Sequence, residues 1–358
     1  MTQDTLAEAD ASLQAEVAER DRLDTDRLSG WMGANVPGFE GPLGYAKFAG
    51  GQSNPTYKLT TPLRDYVLRR KPMGELLPSA HQVDREYRVM AALHPTGFPA
   101  PRQYGLCEDD AVIGSAFYVM EMVEGRTIWD GAMPGLTRDQ RRDHYHAMID
   151  TLADLHNTDH VGVGLGDFGR PGNYFERQVN RWTKQYRAAE TETMPVMERL
   201  IEWLPRTIPE QTRTAIVHGD YRVDNMKFAS GTEARVVAVL DWELCTLGDP
   251  TADLTYYLMS WVTQPEGRSG VMGLTGPETG IPALEEMVAR YCARTGRDGL
   301  PQLDWYFAFN LFRLASIVQG IKKRFLIGTA SNARAEETSA RVPMLADAAW
   351  GFAVKAGA

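Results

Sequence analysis

The sequence predicts an α+β chain of two lobes, a small sheet-bearing lobe followed by a larger, mainly helical one. Three observations carry this. Short apolar runs with strand-like character crowd roughly the first third of the chain around one amphipathic helix. After Gly125 the apolar residues recur at the helical period, as in Tyr145, Met148, Ile149, Leu152 and Leu155. The 358 residues exceed one average domain, yet show no internal repeat and no low-complexity tract.

The elements follow in order. Residues 1–21 are polar and read as a flexible segment. Residues 23–31 read as a short amphipathic helix, closed by the glycine and proline of GANVPG. Residues 45–48, 56–60 and 66–70 read as strands around the turn-rich AGGQSNP. A helix is expected over 81–93, with Val83, Tyr87, Met90 and Ala91 as its apolar face. Two strand-like runs follow within 112–123. Beyond Gly125, residues 145–155 and 173–204 read as helices. TAIVHGD and ARVVAVLD then read as short strands joined through a hairpin-like SGTE. Asp249-Pro250 opens a mostly helical remainder, with Asp as N-cap and Pro at the first helical position.

Bulk properties exclude several function classes. A net charge of -9 disfavours non-specific binding to nucleic acid or to anionic membranes. Cys107, Cys245 and Cys292 are far apart and odd in number, against a disulfide framework or zinc site and for a reducing compartment. The N-terminus is acidic and lacks an apolar run, and no stretch is long and apolar enough for a membrane helix. A cytoplasmic protein is expected, with no nucleic-acid or membrane partner and an oligomeric state that is not legible.

The chemistry concentrates in HGDYRVDN. An apolar run at 215–217 delivers His218, Gly219 and Asp220 to a loop, and Asn225 follows Asp220 by five positions. Phosphoryl transfer to an alcohol needs a carboxylate that accepts or orients the hydroxyl proton, and oxygen ligands that hold Mg²⁺ on the phosphates. Asp241, after the apolar run VVAVL, is the next carboxylate in a suitable place. Taken singly, Asp220 or Asp241 is a common turn cap; the order, spacing and strand context favour the chemical reading.

The order Asp220, Asn225, Asp241 resembles the protein-kinase pattern H-R-D-x-x-x-x-N followed by D-F-G, with glycine for the middle arginine and Asp-Trp-Glu for Asp-Phe-Gly. It resembles more closely the aminoglycoside phosphotransferase superfamily of kinase-like enzymes. That resemblance implies a protein-kinase-like bilobal fold: residues 22–122 as the nucleotide-binding lobe and 123–358 as the catalytic and acceptor-binding lobe. It implies ATP and Mg²⁺ as cofactors, Asp220 as catalytic base, Asn225 and Asp241 as metal ligands, and Arg222 as a charge-stabilising residue. GGQSNPTYKL is similar to the phosphate-covering loop, with Gly50, Gly51, Ser53 and Asn54 at the turn, where backbone N–H groups form an anion nest. Arg69 stands where kinases carry a lysine, although the adjacent Arg70 and Lys71 leave the register open. Glu86 is its expected carboxylate partner. FYVMEMVEG resembles the interlobe hinge, with Met120, the Glu121 carbonyl and the Val123 amide around adenine.

YVLRRKP, GLGDFGRPGNYFERQVNRWTKQY and VLDWELCTLGDPTADL narrow the resemblance to one branch, the kinase-like domain of multidomain acyl-CoA dehydrogenases and its free-standing bacterial relatives. That branch implies transfer of the γ-phosphate to a hydroxyl of a small metabolite, a hydroxyacyl-CoA or related acyl compound. Lys322, Lys323 and Arg324, with Arg177 and Arg181, are cations suited to such an anionic, CoA-like acceptor. Two alternatives stand beside it, an aminoglycoside-type antibiotic phosphotransferase and a nucleotide-binding pseudokinase with a regulatory role. A dehydrogenase activity is not expected, because no separate domain remains to hold FAD.

Other patterns carry less. GLGDFG contains both G-x-G-x-x-G and a literal Asp-Phe-Gly, but no strand precedes it and it comes before His218, so Asp167 reads as a loop residue. His144 and His146 do not share a helical face, and His156 reads as a packed or capping histidine. There is no G-x-S-x-G and no Walker A pattern.

Overall fold

The structure is a computed structural model that describes residues 13–14, 17, 19–48, 54–74, 81–265, 269–329 and 335–358. In chain order the elements are β1 (Leu13–Gln14), α1 (Thr25–Asn35), β2 (Gly44–Phe48), β3 (Thr56–Thr60), β4 (Asp65–Arg70), α2 (Val83–Leu93), β5 (Gln103–Cys107), α3 (Asp110–Ile113), β6 (Phe117–Glu121), β7 (Arg126–Thr127) and α4 (Arg138–Asn157). They continue with α5 (Tyr174–Ala189), α6 (Pro195–Trp203), β8 (Ala215–Val217), β9 (Met226–Phe228), β10 (Val236–Val239), β11 (Thr246–Gly248), α7 (Thr251–Leu258), α8 (Leu284–Thr295), α9 (Leu303–Leu326), α10 (Ala335–Ser339) and α11 (Val342–Lys355). The chain divides into two compact units: residues 1–151, 161–165 and 222–245, and residues 152–160, 166–221 and 246–358.

The first unit holds an antiparallel six-stranded sheet in the order β1-β2-β3-β4-β6-β5 and a three-stranded sheet in the order β10-β9-β7. Its core follows from the two-residue period of a strand. Tyr57 and Leu59 of β3, Tyr66 and Leu68 of β4, and Phe117 and Val119 of β6 share a cluster with Leu28 and Met32, one turn apart on α1. Each such side chain contributes roughly 2 kcal/mol through burial. Asp24 caps α1 by accepting from the Arg27 amide at 3.1 Å. Asp21, inside the segment expected to be flexible, accepts from Lys47 at 2.6 Å and from the Tyr57 hydroxyl at 2.8 Å.

Three expectations are corrected here. The apolar run at Val112 is the short helix α3, and the strand beside β6 is β5 at Gln103–Cys107. Asp109 accepts from the Ala111 amide at 2.9 Å and starts the turn before strand pairing is available. The buried face of α2 is Val83, Glu86, Val89, Met90 and Leu93, so it is rotated onto Glu86, leaving Tyr87 and Ala91 half-buried. Residues 173–204 form two helices, α5 and α6, interrupted at 190–194.

The second unit is mainly helical around the two-stranded sheet β11-β8. Asp249 accepts from the Thr251 amide at 2.9 Å and hydroxyl at 2.6 Å, which caps α7 as expected. The decoy loop is structural. Phe168 is fully buried, and a Cβ on Gly169 would lie 2.6 Å from the Leu247 amide nitrogen, so the backbone there approaches β11 too closely for any side chain. Among the described residues the three cysteines are buried and outside any disulfide, and no helix is long and apolar enough to cross a membrane.

Candidate active site

In the first unit the strand pleat decides which base is used. Tyr66, Leu68 and Arg70 share one face of β4, where Tyr66 and Leu68 cluster with Leu28 and Met32 of α1; Val67 and Arg69 take the opposite face, with Arg69 paired across to Tyr118. Arg70 is 1% exposed on the wrong side, and Lys71 reaches only Asp84 at 3.9 Å. Arg69 instead meets three carboxylates. Its Nε lies 3.0 Å from Glu86 Oε2, an ion pair outside hydrogen-bond alignment. Its Nη2 lies 2.8 Å from Asp241 Oδ1 and 3.4 Å from Glu243 Oε2.

Glu86 is 1% exposed, and such a carboxylate needs donors as well as a cation. Asn54 Nδ2 donates to Oε1 at 2.7 Å and the Tyr118 hydroxyl to Oε2 at 3.0 Å. Burial pushes Glu86 up to about 7, with Arg69 opposing. The same carboxylates hold the Arg69 guanidinium above its ordinary range, against the effect of burial. Asn54, expected at the phosphate turn, is fully buried and turned onto Glu86 and His81. Gly50, Gly51 and Ser53 lie outside the described residues.

The two expected metal ligands come together in this unit. β9 pairs with β10 through Met226 and Val239, and the Asn225 carbonyl accepts from the Leu240 amide at 2.8 Å. Asp241 is the next residue and stands in the left-handed region at φ 65, a conformation that costs a non-glycine residue about 1 kcal/mol or more. Trp242 fixes it there: its ring is buried, Nε1 donates to the Val239 carbonyl at 2.9 Å, and the ring lies edge-on to Phe98. Asn225 and Asp241 are half-exposed oxygen donors. Such a pair fits Mg²⁺, which takes one or two protein ligands and completes its shell with water and phosphate oxygens. Among the described residues no cluster of three His, Cys, Asp or Glu offers a closed metal cage. Arg222 is engaged by Asp224, with Nε donating to Oδ1 at 2.7 Å. Of the residues expected at the hinge, Met120 is buried, Glu121 exchanges its amide and carboxylate with the main chain of Arg102, and Val123 is half-buried.

In the second unit the loop 218–220 hangs on one buried carboxylate. Asp253 is 1% exposed and accepts from the His218 amide at 2.5 Å and the Gly219 amide at 2.8 Å, with His156 Nε2 at 3.4 Å. Burial alone would raise its pKa, but the hydrogen bond and charge of His156, with His218 and the Gly219 amide, hold it below the ordinary carboxylate range. His156 is in turn fixed by the Tyr291 hydroxyl at 2.7 Å. Gly219 adopts φ 87, which explains glycine where kinases carry arginine. Arg313 Nη2 donates to the Gly219 carbonyl at 2.9 Å, and the Tyr256 hydroxyl donates to Asp220 Oδ1 at 2.8 Å. Asp220 is therefore a half-exposed carboxylate on a loop whose backbone is fixed from both sides.

Asp253, Tyr256, Glu243 and Arg313 were not among the expected site residues. A signal existed for two of them. Asp253 is the one charged residue of α7, and Arg313 is the one charged residue between Trp305 and Gly320. A lone charge in a buried helix needs a partner, and the partner here is the 218–220 loop.

Similarity to known proteins agrees with this geometry. Residues 44–306 match the model described as the phosphotransferase enzyme family. Acyl-CoA dehydrogenase family member 10 of Mus musculus is 44% identical over 333 residues, 92% of this chain and 31% of that protein. Family member 11 of Homo sapiens is 39% identical over 324 residues, 89% of this chain and 41% of that protein. The chain thus spans less than half the length of these relatives. A crystal structure from Ralstonia eutropha, provisionally named an aminoglycoside phosphotransferase, is 47% identical with a TM-score of 0.86, covering 93% of this chain and 99% of that one. A ternary complex of aminoglycoside phosphotransferase APH(4)-Ia with AMP-PNP and hygromycin B shares the fold, with a TM-score of 0.59 at 14% identity over 89% of this chain and 96% of that one. By sequence and by fold, the chain belongs to the phosphotransferase enzyme family.

Proposed function

We propose that the chain is an ATP- and Mg²⁺-dependent phosphotransferase that phosphorylates a hydroxyl of a small acyl metabolite. One observation supports it most: Arg69 joins the buried Glu86 of α2 to Asp241, and Asp241 follows directly on the backbone bond between Asn225 and Leu240. Four separate parts of the chain bring these side chains together, which supports reading Arg69 as a phosphate-binding cation and Asn225 and Asp241 as metal ligands.

In this reading Asp220 accepts the acceptor's hydroxyl proton as its oxygen bonds to the γ-phosphorus and the bridging P–O bond to ADP breaks. Asn225 and Asp241 hold Mg²⁺, which would neutralise charge on the β- and γ-phosphates. Arg69 contacts the nucleotide phosphates and is kept in place by Glu86. Gly50, Gly51 and Ser53 would meet the phosphates, Asn54 holds Glu86 in place, and Met120, Glu121 and Val123 receive adenine. Arg222 stabilises transferring charge once released from Asp224. Residues 22–122 serve the nucleotide and 123–358 the catalytic loop and acceptor. The names of the family member 10 and 11 relatives support an acyl acceptor, and a cytoplasmic location fits the free thiols.

The test is transfer from labelled Mg-ATP to a panel of hydroxyacyl-CoA thioesters, free hydroxy acids and aminoglycosides. Phosphorylation of an acyl acceptor is the expected result. Transfer to aminoglycosides alone would replace it with the antibiotic-modifying reading, and Mg-ATP binding without transfer to any acceptor with the pseudokinase one.

A further inference from the structure

Beside the Asp220 loop lies a cationic and aromatic cluster that the proposed chemistry has not used. The Arg313 guanidinium carbon stands 4.9 Å from the Tyr256 ring centre and 5.4 Å from that of Trp182. Arg181 lies over the same Trp182 ring, also at 5.4 Å. Every residue of α7 is buried except Tyr256, whose hydroxyl donates to Asp220 Oδ1. Arg313 therefore joins two aromatic faces, Tyr256 beside Asp220 and Trp182, with Arg181 over the second.

Arg313 is incompletely used by the protein. Its Nη2 donates to the Gly219 carbonyl, its Nε is buried without a hydrogen-bond partner, and among the described residues no carboxylate forms an ion pair with it. A guanidinium held between aromatic faces keeps its planar edge for a matching pair of oxygens. Three of the five cations that looked suited to an anionic acceptor are engaged elsewhere. Lys322 pairs with Glu192 at 2.5 Å, Lys323 donates to the Ala188 carbonyl at 2.7 Å, and Arg177 donates to the Gly172 and Arg170 carbonyls.

We propose that Arg313, backed by Arg181 across Trp182, is the acceptor anchor: it binds the acyl oxygen of a hydroxylated acyl compound, carboxylate or thioester carbonyl, and so sets the acceptor's hydroxyl against Asp220. This rests on the phosphotransferase reading and adds the residue that selects the acyl group. Arg313 acts by direct contact with the acceptor, and its bond to the Gly219 carbonyl couples acceptor binding to the loop that carries the base.

The experiment compares kcat/KM for three acceptors of equal chain length, a free hydroxy acid, its CoA thioester and the neutral diol, in the wild type, Arg313→Lys and Arg313→Gln. The wild type should prefer an acyl acceptor to the diol, and the stronger of the two acyl forms identifies the oxygen that is read. Arg313→Gln should lower that preference roughly 10- to 100-fold, mainly through KM, as expected for a lost hydrogen bond to a charged group. Arg313→Lys should fall between, since it keeps charge without the fork. An equal loss on diol and acyl acceptors overturns the proposal, leaving Arg313 as a brace for Gly219. A second measurement needs no variant: an acyl compound without the hydroxyl should compete with the acceptor at least about tenfold better than an alkanol of equal length. Equal competition overturns the proposal as well. If the wild type phosphorylates aminoglycosides and no acyl acceptor, this inference fails and the phosphotransferase reading stands. If it transfers phosphate to nothing, both fail.

Discussion

Replacing Asp253 by asparagine tests whether one buried charge holds the catalytic loop. The carboxylate accepts from the His218 and Gly219 amides at 2.5 and 2.8 Å and neighbours His156. An asparagine of the same shape keeps one acceptor oxygen and turns an NH₂ group toward the other amide. One hydrogen bond is lost, one buried donor is left unsatisfied, and the surviving bond is no longer charge-assisted. With charge-assisted bonds contributing roughly 1.5–3 kcal/mol and a buried unsatisfied donor costing roughly 1–3 kcal/mol, the expected destabilisation is about 3–4 kcal/mol. The sign of its pH dependence follows from the depressed pKa of Asp253. A carboxylate depressed in the folded state stabilises above its unfolded pKa of about 3.9, and that contribution is lost as pH falls through the folded value. Wild-type and variant stability, from urea unfolding at a series of pH values, should differ by a constant amount from about pH 5 to 8 and converge below about pH 4. Transfer rates on the same samples should drop at least about tenfold, because Asp220 follows the loop. A variant that unfolds within about 0.5 kcal/mol of the wild type, with full activity, refutes the argument.

Four further outcomes are expected. Asp220→Ala should reduce transfer by roughly 10²–10⁴-fold in a phosphate-release assay, with little change in melting temperature, since the side chain is half-exposed. Glu86→Gln should cost about 2 kcal/mol by thermal unfolding. That is less than the roughly 3–5 kcal/mol of an isolated buried pair, because Asp241 and Glu243 remain on Arg69. Gly219→Ala should cost about 1–2 kcal/mol from its positive φ and lower kcat; unchanged kcat would show that loop geometry does not limit the rate. Asp241→Asn should shift the Mg²⁺ concentration for half-maximal rate upward by about tenfold or more with the backbone intact, since asparagine tolerates the left-handed region.

Legibility differed by kind of residue. Asp220, Asn225 and Asp241 were readable because their order along the chain is fixed by a loop and one hairpin, both local. Arg69 was readable only as one of three adjacent bases. The β4 pleat puts Arg70 on the face of Tyr66 and Leu68 and Arg69 on the face toward Glu86, and so decided which base meets Glu86. The α2 stripe differs from the expected apolar face because a glutamate, Glu86, lies on its buried side. Its partners Asn54, Tyr118 and Arg69 come from three other places in the chain, and only their convergence makes a buried carboxylate affordable. The run at Val112 misled because four apolar-rich residues suit either period, and the Asp109 cap decided for a helix.

The sequence by itself determined the α+β class, the helical period after Gly125 and the order of Asp220, Asn225 and Asp241, since these are written in residue order and spacing; the resemblance of its motifs gave the family. The tertiary structure alone decided which basic residue meets Glu86, that Asp253 and Arg313 fix the Asp220 loop, and that Lys322 and Lys323 are already engaged. The physical reason is distance along the chain. Asp253 lies 34 residues from Gly219 and Arg313 lies 94, and no local pattern records hydrogen bonds that form only after helices and strands have packed.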